Sequence, residues 1–157
     1  MYLLLKDCRS LYDTHEVEEK IMLLFSPSPG QIADRMTILE LKVQKAKEVT
    51  PALDAALNEL ERCRHELATS ALRLDSPSSL NFDNLVGLLR YQNARQWEYE
   101  DGVRVALKCC TIPPTYEQLL DVTNIERLNA QGNETRAELV RKIDGLFRMA
   151  PEIKAYK

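Results

Sequence analysis

The chain has only five glycines and two histidines in 157 residues. It also lacks any C-x-x-C pair, glycine-rich phosphate loop, G-x-S-x-G turn or long apolar run. Each absence removes a class. The cysteines are Cys8, Cys63, Cys109 and Cys110, and the histidines are His15 and His65. That spacing fits neither a disulfide framework nor a zinc site, so the thiols are expected to be reduced. The apolar run Met1–Leu5 is cut by Lys6 and Asp7, too short for a signal peptide. Nothing approaches the roughly 20 apolar residues of a membrane span, so a cytoplasmic location is expected. The net charge of −3 and the pI near 5.5 argue against a nucleic-acid binder, which usually carries a basic excess. No cofactor, metal, nucleic acid or membrane is expected as a partner.

What is present is helical vocabulary. Leu, Ala, Glu, Arg and Lys dominate, and the prolines fall mostly in short clusters. Ser28-Pro29-Gly30-Gln31 reads as a helix start, with Ser28 the N-cap, Pro29 at N1 and Gln31 closing a capping box. Ile32, Met36, Leu39, Val43 and Ala46 then form one apolar stripe. Thr50-Pro51 starts a second helix, in which Leu53, Leu57, Leu60, Leu67, Ala71 and Leu74 keep a seven-residue repeat interrupted at Arg64. The stretch 75–79 reads as a loop. A third helix is expected from about Phe82 to Lys108. A fourth, capped by Thr115 with Gln118 three residues on, should reach about Arg148. Asp13 to Phe25 suits a short amphipathic helix. The expectation is one domain: residues 1–27 as an N-terminal segment, and residues 28–157 as an all-α antiparallel bundle of four long helices.

Two of these helices change character halfway. At 100° per residue, Phe82, Val86 and Leu89 define an inward stripe on the third helix. The stripe continues through Asn93, Trp97, Glu100 and Arg104 to Leu107, with Asp101 at its border. On the last helix, Asn129, Asn133 and Arg136 interrupt a stripe running from Val122 and Ile125 to Val140, Ile143 and Phe147. If the helices fold back at Pro113, the two polar stretches come level. Trp97 is then expected to use the space beside Gly132. Buried Asn, Glu and Arg are costly unless paired, and these groups are complementary. They suit either a closed network that fixes register or a pocket for a ligand. Asp34, Arg35, Glu40 and Lys42 read either as an extension of this site or as a solvated charged face.

The pattern Asn93-x-x-x-Trp97-x-x-Glu100-Asp101-x-x-Arg104, followed by Leu128-Asn129 and Asn133-x-x-Arg136-Ala137, resembles uncharacterised bacterial all-helical domain families. Gly30-x-x-x-Asp34-x-x-Thr37-Ile38-Leu39-Glu40-x-Lys42 resembles the opening motif of one such family, and Glu152-x-Lys154-x-Tyr156 its ending. Such domains are often encoded near glycosyltransferases of surface-polysaccharide clusters. The resemblance covers about Ser28 to the end. It implies a bacterial protein and, as a partner, a protein of a glycosyltransferase pathway. It implies no reaction.

Three functions follow. The first is a non-catalytic helical module that binds a partner or forms a homo-oligomer, using the long stripes between Ile32 and Leu74. The second is a site for a small anionic ligand, a sugar phosphate or nucleotide, held by Arg104 and Arg136. The third is a Mg-dependent nucleotide pyrophosphohydrolase. Glu98-x-x-Asp101 resembles half of the paired carboxylate motif of the all-helical enzymes of that kind. Glu16-x-x-Glu19 lies far upstream, Glu59-x-Glu61 has the wrong spacing, and Glu98 points away from the polar face.

Overall fold

The computed structural model describes residues 26–150, which form four α-helices; there is no strand among the described residues. The helices are α1 (Pro29–Lys45), α2 (Pro51–Ala71), α3 (Ser76–Cys109) and α4 (Tyr116–Arg148). The short helix expected within Asp13–Phe25 and the C-terminal motif lie outside the described residues.

Each helix begins where a side chain can take up a free backbone N–H. Ser28 caps α1 in a complete capping box with Gln31. Thr50 caps α2 by accepting from Leu53 N at 3.2 Å. Thr115 and Gln118 form the box of α4. α3 differs from expectation: it starts at Ser76, one residue after the N-cap Asp75, which accepts from Ser78 N at 2.8 Å. Pro77 sits in the first turn, where its missing N–H is no loss. The Ser/Pro composition of 75–79 is therefore a helix start as well as a break.

α1 is the middle of the molecule and touches all three other helices. Its buried side chains Ile32, Met36 and Leu39 meet Leu60, Cys63 and Leu67 of α2. The same cluster takes in Phe82, Leu85, Val86 and Leu89 of α3 with Leu139, Ile143 and Phe147 of α4. Phe82 and Phe147 meet edge to face, 5.5 Å between centroids. The stripes of α1 and α2 are thus largely used within the chain. Arg64, which interrupts the α2 repeat, is exposed and pairs with Glu61 at 3.0 Å and Glu40 at 3.6 Å. No helix among the described residues is long and apolar enough to cross a membrane.

α3 and α4 form a hairpin much longer than α1 and α2. Contacts descend α4 as they climb α3: Phe82 meets Phe147, Gln96 meets Asn133, and Gly102 approaches Ile125. On α3 the last buried residue is Gln96, and on α4 the first is Gly132. Beyond them the pair projects as an arm. Gln118 ties its tip, accepting from Thr111 N at 3.1 Å and Thr115 N at 2.9 Å while donating to Cys109 O.

Three carboxyl groups titrate below their ordinary range. The Arg35 guanidinium holds Glu59 down, the Ser78 backbone N–H holds Asp75 down, and the Lys142 ammonium holds Glu138 down. A folded-state pKa below the unfolded value gives stability that is complete above the unfolded pKa and is lost as pH falls through the folded one. Thermal melts followed by circular dichroism should therefore hold a steady midpoint from pH 7 to about pH 5 and fall below about pH 4. A midpoint that rises on acidification would contradict these three contacts.

Candidate functional site

The polar centre forms where α1 crosses the α3–α4 hairpin, and its hub is Asp34. One carboxylate takes both arms of the Arg136 fork, Nε donating to Oδ1 at 2.7 Å and Nη2 to Oδ2 at 2.5 Å. Asn93 Nδ2 donates to Asp34 Oδ1 at 2.9 Å and to Thr37 Oγ1 at 2.8 Å. The Thr37 hydroxyl, on a residue with no exposed surface, donates in turn to the backbone carbonyl of Asp34 at 2.9 Å. Three helices are thereby joined through one carboxylate. The hydrogen bond from Arg136 to Asp34 raises the guanidinium pKa further, opposed by burial and helped by the fields of Asp34 and Glu100. Arg136 stays charged, and the Nε–Nη2 side of its guanidinium is taken by Asp34.

Beside this hub lies a cluster of amides. Gln96 donates to Asn133 across the hairpin. Gly132 faces Gln92 and Gln96; an added Cβ would come 2.6 Å from Gln92 Nε2 and 3.3 Å from Gln96 Cγ. Glutamines, and not Trp97, therefore use the space that Gly132 leaves. Trp97 instead lies under the Lys45 ammonium at the end of α1, 5.8 Å from the ring centroid. Gln96 Oε1 and Asn129 Oδ1 are buried acceptors without a donor among the described residues.

Asn93 and Arg136 meet through Asp34, and Asn133 meets Gln96. Asn129 is half-buried on the hairpin seam. Glu100, Asp101 and Arg104 do not join the cluster by contact. Their side chains are more than half exposed, and Arg104 pairs along its own helix, 3.0 Å to Asp101 and 3.9 Å to Glu100. Of the charged residues early in α1, Arg35 and Glu40 make exposed ion pairs, with Glu59 at 2.7 Å and Arg90 at 2.6 Å. Asp34 is the member whose central role was not singled out. Its signal was present: Gly30, Asp34 and Thr37 follow one another at steps of four and three, so they share a helix face.

At the start of α1, Asp144 of α4 reaches two groups. It accepts from Ser28 Oγ at 2.9 Å and from Gly30 N at 2.7 Å. A carboxylate at a helix N-terminus satisfies a free N–H and meets the positive end of the helix dipole. Asp34 and Asp144 together fasten α1 to α4.

Chemically, the arrangement orients helices. The forked donor, the carboxylate and the buried hydroxyl are paired with one another. The surface concavities at the α1–α2 groove and at the α2–α3 junction are lined by other residues, among them Lys42, Ala56, Leu67 and Ala71. Among the described residues, no group of three or more His, Cys, Asp or Glu is placed to hold a metal ion. Comparison with known protein families, with characterised proteins and with solved structures gives no match.

Proposed function

We propose that this chain is a non-catalytic helical module that works by associating with another protein, and that its polar centre serves structure. The fold that goes with this reading is an antiparallel four-helix bundle, supported by the descending contacts between α3 and α4. The observation that carries the reading is the arm. From Trp97 to Cys109 and from Tyr116 to Gln131, the two helices shelter little beyond the seam between them, while Val105, Leu107, Leu119, Leu120 and Leu128 stand exposed. A hairpin that runs past its core with apolar side chains outward has the form of an interaction site. The paired state of Arg136 favours this reading over an anion pocket, because Asp34 already neutralises the guanidinium and takes two of its N–H donors. A link to surface-polysaccharide biosynthesis, and a glycosyltransferase-pathway protein as the partner, rest on the motif resemblance alone.

Photo-crosslinking tests the association. A photoreactive amino acid at Leu107, activated in cells producing the protein, should give discrete adducts. The same group at Leu72, exposed at the opposite end of the bundle, should not. A smear, or identical patterns from both sites, would count against the arm as a docking surface.

A further inference from the structure

The residues sheltered along the α3–α4 seam change character twice. In the body of the bundle they are Leu85 and Leu89 alongside Leu139 and Ile143, all buried. At mid-length they are Gln92, Gln96 and Tyr99 alongside Asn129, Gly132 and Arg136. In the arm they are Val103 and Ala106 alongside Val122 and Ile125, all half-buried. Three other boundaries fall at the level of the middle section. The cover that α1 provides ends there, with Lys45 over Trp97. The last buried residue of α3 is Gln96, and the first of α4 is Gly132. Among the described residues, no hydrogen bond or ion pair joins 98–131 to α1 or α2. The two buried acceptors without a donor, Gln96 Oε1 and Asn129 Oδ1, belong to this same section.

We infer that the arm is a separate cooperative unit, which opens and closes while the body stays folded, and that the polar layer of Gln96, Asn129 and Asn133 is the break between the two. Cooperativity spreads through shared buried apolar contact, and a layer of side-chain amides interrupts it. Opening from the tip as far as Gln96 gives up only the half-buried contacts of Val103, Ala106, Val122 and Ile125. It returns the buried amide oxygens to water, which relieves a desolvation cost. It also restores chain freedom, since helices as short as these two segments are marginal once parted. The body keeps what holds it. The Phe82–Phe147 contact, Leu89, Ile143 and the Asp34–Arg136 pair all lie on its side of the layer. The arm is therefore a conformational switch: closed, it shelters an apolar seam, and open, it presents that seam.

Native-state hydrogen exchange of the full chain at low denaturant concentrations tests this. The backbone amides of Val103, Ala106, Val122 and Ile125 should exchange through an opening at least about tenfold more populated than the one that frees Leu89 and Ile143, and with a smaller denaturant slope. Asp34→Ala should speed exchange at Leu89 and Ile143 and leave the four arm amides unchanged, because the arm opens with the Asp34 hub intact. Asn129→Leu removes an acceptor without a donor and should slow the arm amides about five- to thirtyfold. Equal protection of arm and body, with equal acceleration by Asp34→Ala, would show one cooperative unit and overturn the inference. Arm amides that exchange like an unstructured peptide would overturn it too, since no closed arm would exist. An Asn129→Leu arm that exchanges no more slowly would overturn the role of the polar layer. The inference is independent of partner binding, which crosslinking at Leu107 reads separately.

Discussion

Asp34→Ala should destabilise the protein by about 2–3 kcal/mol and lower its thermal midpoint by about 6–10 °C, the value for a partly buried ion pair broken from one side. The variant strips Arg136 of both its hydrogen bonds and leaves Asn93 with only the Thr37 contact. Arg136 keeps its charge in a place where its side chain is 31% exposed. That exposure is why the figure sits below the 3–5 kcal/mol of a fully buried pair. Arg136→Leu should cost about as much as Asp34→Ala, since it leaves the Asp34 carboxylate, 16% exposed, with Asn93 as its remaining side-chain donor. The double variant should fall short of the sum of the two, because both act on one interaction. Chemical denaturation of the four proteins measures the coupling. Additive effects, or a loss under about 0.5 kcal/mol for Asp34→Ala, would show that the pair does not hold α1 to α4.

The elements and most of their ends were legible because caps and prolines act locally. Ser28, Thr50 and Thr115 needed only their own neighbours to start a helix. The faces were less legible on α3, and the reason is geometric. Taken at 3.6 residues per turn from Phe82 and Leu89, the inward stripe runs through Asn93, Trp97, Glu100 and Arg104. The sheltered positions instead follow a heptad: Leu85, Leu89, Gln92, Gln96, Tyr99, Val103, Ala106 and Cys110. α4 keeps the matching one, Gln118, Val122, Ile125, Asn129, Gly132, Arg136, Leu139 and Ile143. A straight helix drifts about 20° per heptad against such a seam. Over the three heptads from Leu89 to Cys110 the error reaches more than half a residue, enough to place Glu100 and Arg104 inside when they lie outside. The nearer part of the stripe also mixed two faces, since Asn93 and Trp97 turn to α1 and Gln92 and Gln96 to α4. On α4 the stripe is anchored by apolar residues on both sides of the polar stretch; Asn129 and Arg136 lie half-buried on it, whereas Asn133, expected on the same stripe, is exposed. The partnership of Asp34 with Arg136 joins positions 102 residues apart, and nothing local encodes it.

Gly30→Ala should be the most damaging of the glycine replacements, at about 3 kcal/mol. None of the glycines has a positive φ, so backbone conformation does not decide the matter. Proximity does. A Cβ at Gly30 would stand 2.4 Å from Val140 O and 2.8 Å from Asp144 Oδ1. The first of these is a backbone carbonyl fixed within α4, which cannot swing aside as the end of a side chain can. α1 must therefore back away from α4. Overpacking of this kind costs about 1–3 kcal/mol. The retreat also stretches the bonds from Gly30 N and Ser28 Oγ to Asp144, and hydrogen bonds to a charged group are worth about 1.5–3 kcal/mol each. Asp144→Ala loses those bonds without the clash and should fall between Gly30→Ala and the native protein. Gly87 and Gly145 supply the opposite sign: an added Cβ meets nothing within 4 Å at either, so alanine there should stabilise by about 0.5–1 kcal/mol through helix propensity alone. Gly132→Ala should lie between, because its contacts are side-chain atoms of Gln92 and Gln96 that can move. Thermal melts of the five variants give the order directly. A Gly30→Ala protein as stable as Gly87→Ala would mean that α1 does not lie against α4 at Val140, and the fastening of α1 by Asp144 would fall with it.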